Sequence, residues 1–465
     1  MNEIHDTVTF RDRASNVNAK GKRKWVYAAK PKGRFYRYRS YVSFLYLAIF
    51  FALPFIQYKG MPFFMLNFPE GKFIVFGNIF WPQDFFIFAV AMITFIVFVA
   101  LFTVIYGRLF CGWVCPQTIF MEMVFRKIEW WIEGSHTKQQ KNSQNRYSSQ
   151  QLIRKTIKHA IFLLLSFLIA NTFLAYIVGL KDLLKIVHEP IDEHMILFTG
   201  LVFFTLLFYA VYAFVRDIVC TTVCPYGRLQ SVLFDKDTMQ ISYDYRRGEQ
   251  RGKLVKNTER TIGDCIDCRK CVQVCPTGID IRDGIQIECI GCTACIDACN
   301  DVMAKINLPK GLIRYASENE IAKGNRFHFN NRMKAYTVLL TILLLFTATL
   351  VVTRKSIDTH ITRVSGQLYQ EIGKDTLGNL FNAKVLNKSN EAFQVEMRLE
   401  HIDGQIVMVN SSETYMKKEA VNELTFFIRI NRKQIHQRST PIQVGIYKNG
   451  KRIQTVTSVF LGPFI

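Results

Sequence analysis

Residues 265–299 read CIDCRKCVQVCPTGIDIRDGIQIECIGCTACIDAC. Cysteines fall at 265, 268, 271 and 275, then again at 289, 292, 295 and 299, so one C-x-x-C-x-x-C-x-x-x-C run follows another. Three thiolates spaced by two residues wrap one iron–sulfur cube on a tight loop. The fourth cysteine of each run opens a short helix and reaches the other cube. The spacing therefore predicts two 4Fe-4S clusters. Cluster one takes Cys265, Cys268, Cys271 and Cys299, and cluster two takes Cys289, Cys292, Cys295 and Cys275. A zinc site uses one or two C-x-x-C pairs per ion, so paired runs of four disfavour it. Pro276 follows Cys275, whereas Asn300 follows Cys299. Proline shapes the chain there but donates no ligand. Gly278 and Gly291 stand where backbone must pass close to sulfide.

All twelve cysteines lie between Cys111 and Cys299. A secreted disulfide scaffold would carry them through its exported part. The four outside the runs form a repeat: C-G-W-V-C-P at 111–116 and C-T-T-V-C-P at 220–225. Each element closely follows an arginine, Arg108 or Arg216, at the end of an apolar run. At helical spacing both sulfurs of a pair share a face, and Pro116 or Pro225 marks a helix end. If the repeats pack together, Cys111, Cys115, Cys220 and Cys224 converge. Four thiolates suit Cu(I) or a further iron–sulfur cluster. A reversible disulfide and plainly buried thiols are the other readings.

Outward from the cysteines the chain is a membrane protein by pattern. Hydrophobic residues make up 49% of the 465 positions, concentrated in long runs near 41–58, 85–106, 159–180, 195–215 and 335–353. Each approaches the roughly 20 apolar residues that a bilayer requires. Pro54 would kink the first. The first run starts too late and is too long for a cleaved signal peptide. The stretch 61–81 is apolar but broken by Pro62, Pro69, Glu70, Gly71 and Lys72, which predicts an interfacial loop or part of a re-entrant segment. The net charge of +22 is concentrated beside the spans, so it reflects membrane orientation and not nucleic-acid binding. Loop 107–158 carries nine lysines and arginines, whereas loop 181–194 carries only Lys181 and Lys185 against four acidic residues. That asymmetry places the N-terminus, loop 107–158 and segment 216–334 in the cytoplasm. Five crossings then place 356–465 outside.

The tail alternates apolar and polar residues, as in Phe393-Gln-Val-Glu-Met-Arg-Leu. Strand-like runs recur at 381–387, 393–401, 405–410, 423–430, 442–447 and 452–460. Asp403-Gly404 and Asn449-Gly450 predict hairpin turns. About seven short strands predict an immunoglobulin-like sandwich. The expected fold is thus a helical membrane protein of about five transmembrane helices, with a cytoplasmic dicluster ferredoxin-like insert and an exported all-β immunoglobulin-like domain. Its expected divisions are 1–40 (basic cytoplasmic segment), 41–230 (helices one to four with both C-x-x-x-C-P elements), 231–334 (the ferredoxin-like part), 335–355 (helix five) and 356–465 (the periplasmic sandwich).

Weaker signals remain. Trp113 and Trp130-Trp131 are better explained as interfacial anchors than as electron relays. Glu122 reads as a solvated or snorkelling carboxylate rather than a proton acceptor. His159 has no second histidine at matching depth, which favours a structural role over a haem or copper ligand. There is no G-x-G-x-x-G or P-loop, so electrons are expected from another protein.

The sequence resembles the cytochrome c oxidase accessory protein family CcoG, also called FixG or RdxA. The resemblance runs through R-L-F-C-G-W-V-C-P-Q-T at 108–118, C-P-Y-G-R-L-Q at 224–230, C-V-Q-V-C-P-T-G-I-D-I-R-D-G at 271–284, C-I-G-C at 289–292 and P-K-G-L-I-R-Y at 309–315. It covers nearly the whole chain. It implies a role in assembling cbb-type cytochrome c oxidases, by reduction of Cu(II) to Cu(I) in the bacterial inner membrane. The copper-handling thiols would be Cys111, Cys115, Cys220 and Cys224. Implied partners are lipid, a cytoplasmic electron donor protein, and a copper chaperone or oxidase subunits. A respiratory subunit exchanging electrons with quinone and a non-catalytic assembly scaffold are the alternatives.

Overall fold

The computed structural model describes residues 23–463 apart from 59, 69–70, 82–83, 145–147, 254–261, 325–328, 355–356, 367, 374, 389–391, 410–413, 419 and 449. Most of the basic N-terminal segment, Pro69, Glu70, Arg146 and Asn449 therefore lie outside the described residues. The chain divides into two compact units: residues 1–55 with 89–347, and residues 56–88 with 348–465.

Among the described residues, five helices are long and apolar enough to cross a membrane: Arg34–Phe55, Phe85–Tyr106, Ser149–Val178, Asp192–Val215 and Asn331–Val352. Two begin earlier than the apolar runs suggest. The first takes in Arg34, Arg37 and Arg39. The third starts at Ser149 because Ser148 and Gln151 form a capping box there, which satisfies free helix-end donors. Outward-facing Phe44, Phe203 and Leu345 are 74%, 63% and 65% exposed, as lipid-facing side chains must be. Inside the bundle, Tyr176 donates to the Phe50 carbonyl and Thr94 bonds Thr347. Phe125 stacks on Tyr212 with centroids 4.4 Å apart.

Strands β1 (Gln57–Tyr58) and β2 (Met61–Pro62) form a small ribbon, and β3 (Phe64–Asn67), β4 (Lys72–Val75) and β5 (Asn78–Phe80) a three-stranded sheet. The stretch 61–81 is thus not the expected loop. Buried Met61, Met65, Ile74 and Ile79 give it its own apolar core.

The ferredoxin-like part is closed by β6 (Gln240–Tyr243) pairing antiparallel with β7 (Ile313–Ala316). Between them in sequence lie the two cysteine loops and the helix Ala294–Lys305. Ile241, Ile281, Ile296, Met303, Leu312 and Ile313 form its core.

The C-terminal domain is a sandwich of two antiparallel sheets. One has the order β12 (Gly404–Met408), β14 (Val421–Asn431), β10 (Thr376–Asn387) and β8 (Ile357–Arg363), with β9 (Gln370–Ile372) also on β10. The other has the order β13 (Tyr415–Met416), β11 (Phe393–Glu400), β15 (Ser439–Lys448) and β16 (Lys451–Leu461). Alternate residues of both sheets, among them Phe381, Phe426, Val395, Val444 and Phe460, fill one core. The expected Asp403-Gly404 hairpin is wrong. There β11 leaves one sheet and β12 joins the other, pairing with β14. Turn chemistry alone does not tell a hairpin from a crossover between sheets. At the other expected turn, Lys448 does pair with Lys451, and Gly450 takes φ +75°.

Candidate functional site

The cysteine loops need backbone that doubles back on itself. Asp267, Arg269 and Thr293 adopt positive φ, as do Gly278 and Gly291. Such residues are costly except where the surroundings enforce them. Two neighbouring cavities result. One is lined by Cys265, Cys268, Cys271 and Cys299, together with Tyr243 and Met303. The other is lined by Cys275, Cys289, Cys292 and Cys295, with Cys271 on the wall between. Each cavity thus collects three cysteines of one run and the fourth of the other.

Backbone amides of Thr277, Gly278 and Ile279 point at the Cys275 sulfur. The Gly291 amide points at Cys289, Ala294 at Cys292 and Ile313 at Cys299. Burial pushes the Cys271, Cys289 and Cys299 thiols up to about 12, and Cys292 to about 11. Buried thiol groups with aimed amide donors and no carboxylate among them fit a soft iron–sulfur cube.

The two C-x-x-x-C-P elements adjoin, the condition on which convergence of their thiols depends. Cys111 sits on the short helix Leu109–Trp113 and Cys220 on a π-helical turn, Val219–Val223. Neither pair lies on one continuous helix. Cys115 and Cys224 are extended by the proline that follows, and each caps the next helix, with Pro116 or Pro225 at its first position. The four sulfurs nonetheless converge. Burial, reinforced by Cys115 and Cys224, pushes the Cys111 thiol up to about 12, and burial with Cys115 does the same for Cys220. The Cys111 thiol donates to Gln230 Oε1 at 3.3 Å. Fully buried Gln230 passes the chain on to Thr103. Further π-helical turns at Ile119–Phe125 and Val211–Val215 flank the group, and such turns often mark functional positions.

The thiol site abuts the loop of the second cysteine run. A Cβ on Gly112 would stand 2.7 Å from the Ile290 carbonyl oxygen and 2.8 Å from the Cys292 nitrogen, and one on Gly291 2.8 Å from the Arg108 carbonyl oxygen. Two backbones touch there with no side chain between them. Arg39 Nε donates to the Gly112 carbonyl at 2.7 Å. Buried Arg108 donates to the Ile287 and Gly227 carbonyls, bridging both repeats and the loop.

A buried charge network holds the second element. Arg216 donates to both Glu129 oxygens, at 3.2 and 2.7 Å, and Lys158 reaches Glu129 at 3.6 Å and Glu133 at 2.8 Å. Burial alone would raise the Glu129 pKa, but Arg216 and Lys158 hold it at about 2. Glu122, expected to be solvated, is buried and paired with Arg126 at 3.2 Å. The buried Arg126 guanidinium one turn on supplies the compensating charge. His159 accepts or donates a bond with Tyr209 at 3.0 Å. Trp130 Nε1 donates to the Ala28 carbonyl, while Trp131 is 80% exposed. Sequence reasoning missed Arg39, Glu129, Lys158 and Gln230 as supports. Only Arg108 and Arg216 carried a signal, by recurring before each cysteine pair.

Three family models match. A 4Fe-4S dicluster domain covers residues 215–318, an IG-like fold at the C-terminal of FixG covers 347–463, and a 4Fe-4S binding domain covers 88–134. Nitrogen fixation protein FixG of Rhizobium meliloti is 31% identical over 309 residues, 65% of this chain and 59% of that protein. Protein RdxA of Cereibacter sphaeroides is 28% identical over 79% of this chain and 80% of its own length. Protein RdxB of the same organism is 29% identical over 85% of this chain and 88% of its own.

Proposed function

The chain belongs to the FixG/RdxA family of iron–sulfur electron-transfer proteins, and from that premise we propose that it is a membrane-bound cupric reductase. Its substrate is Cu(II), its product Cu(I), and the product serves assembly of a cbb-type cytochrome c oxidase. The carrying observation is the backbone contact of Gly112 with residues 290–292, which sets four soft thiols directly against the loop of the second cysteine run. When bound, 4Fe-4S clusters held by Cys265, Cys268, Cys271, Cys299 and by Cys289, Cys292, Cys295, Cys275 supply one-electron transfer. Cys111, Cys115, Cys220 and Cys224 bind the copper ion, their softness favouring the Cu(I) state. Thiols held at high pKa by burial lose protons when metal binds, so substrate binding releases protons. Arg108 and Arg39 keep the two loops in register. By the distribution of basic residues, the N-terminus and the ferredoxin-like part face the cytoplasm and the sandwich faces the periplasm of an inner membrane.

The test is anaerobic reduction of Cu(II) by the reduced full chain, read with a Cu(I) chelator. The variant with Cys111, Cys115, Cys220 and Cys224 all changed to serine loses the activity and keeps its iron. Equal Cu(I) yield from both proteins would falsify the proposal. A second reading is favoured by the match of a 4Fe-4S binding model to residues 88–134, whose cysteines are Cys111 and Cys115 alone. On that reading the four thiols hold a third cluster. Iron near twelve rather than eight atoms per chain distinguishes it, on four irons per cube.

A further inference from the structure

Among the eight cysteines of the two runs, Cys268 alone is exposed. The second run is instead backed by protein, through the contact of residues 290–292 with Gly112. Electrons entering from solvent therefore have one natural place to arrive. The surface there is basic. Arg269, next to Cys268, is 70% exposed, and Lys270 follows it. Lys305 pairs with Asp301, two residues beyond Cys299, at 2.7 Å, and Lys270 and Lys32 lie near enough to act on the same carboxylate. Asp267, the residue before Cys268, is held by buried Arg282 at 2.5 Å and lies 3.7 Å from Arg269. Lys32 belongs to the segment that lies along the first run, where the Ala29 amide donates to the Gln273 carbonyl at 2.7 Å.

We infer that Arg269, Lys270, Lys305 and Lys32 form the docking surface for a small acidic one-electron carrier protein, which delivers its electron at Cys268. The inference rests on the cluster reading above and names the donor's chemistry. The balance is simple. The carrier is oxidised by one electron, the chain is reduced by one, and no bond or proton changes hands. One carrier is consumed per Cu(II) reduced. Complementary charge of this kind raises the encounter rate and makes it salt-dependent.

A bacterial flavodoxin, strongly acidic and a one-electron donor, is a suitable probe for the detergent-solubilised full chain under anaerobic conditions. We expect it to bind, and its affinity to weaken steeply as ionic strength rises. R269E/K270E weakens binding at least tenfold and slows reduction by flavodoxin. Reduction by dithionite, which needs no docking, stays unchanged. Should that variant lose iron because its changes lie inside the first run, K32E/K305E lies outside both runs and gives the same loss. A K433E/R452E control on the sandwich leaves affinity unaltered. No binding by flavodoxin, or equal affinity of an iron-replete charge-reversed chain, overturns the inference. A wild-type chain without iron overturns the cluster reading instead. If charge reversal removes only binding of a single-stranded oligonucleotide, the face serves nucleic acid and the inference fails.

Discussion

Gly112→Ala is the sharpest perturbation of the proposed electron route. The new Cβ would meet Ile290 O at 2.7 Å and Cys292 N and Gly291 C at 2.8 Å, all backbone atoms. Ordinary contact begins at 3.4 Å, so the 290–292 loop must retreat by about 0.7 Å or the helix Leu109–Trp113 must tilt. Gly112 has no positive φ, so alanine gains up to about 1 kcal/mol of helix propensity. Overpacking against backbone costs roughly 1–3 kcal/mol. The net loss of stability is therefore small, about 0–2 kcal/mol, while the contact itself is lost. We expect a slightly lower Tm, unchanged iron content, and slower oxidation of the reduced chain by Cu(II) in stopped-flow absorbance. Gly227→Ala is the comparison. Its nearest atom, Cys220 O, lies at 3.1 Å, so a few tenths of an ångström of give suffices and oxidation slows less. An iron-replete G112A protein that passes electrons to Cu(II) at the wild-type rate would refute the idea that this contact carries them.

Other outcomes follow from the buried charges. Glu129→Gln leaves buried Arg216 without its bidentate counter-charge, while Lys158 keeps Glu133, and should cost about 3–5 kcal/mol, seen as a fall in Tm and early exposure of Cys220 to alkylation. The same carboxylate predicts acid sensitivity. Its pKa falls from an ordinary 4.5 to about 2 on folding, so its contribution is full above pH 4.5 and is lost as pH falls through about 2. The amount is on the order of 3 kcal/mol, and E129Q should flatten that part of the pH–stability curve. In the other unit, Asp84 accepts from Lys388 at 2.7 Å and Arg354 at 2.5 Å. Burial alone would raise its pKa, but these two hold it below the usual carboxylate range. Asp84→Asn should destabilise that unit by roughly 3 kcal/mol in limited proteolysis, since Asp358 at 3.9 Å still faces Lys388.

Much of this molecule is written locally. Ligand runs are legible because three thiols spaced by two residues must share a loop, whatever surrounds them. Long helices are legible because lipid demands an unbroken apolar stretch, and β11 because its side chains alternate between core and solvent. Helix starts were less so: Ser148 sets the third helix ten residues before its apolar run. What only the tertiary structure decided are the meetings of distant segments. Asp403-Gly404 looks like a hairpin until β12 is seen to pair with β14. Glu122 looks solvated until Arg126 is found buried beside it. Gly112 is one more glycine until Ile290 is placed against it. Local sequence fixes dihedral preferences and periodicity, whereas burial and approach distance depend on which remote residues the fold delivers to the same place.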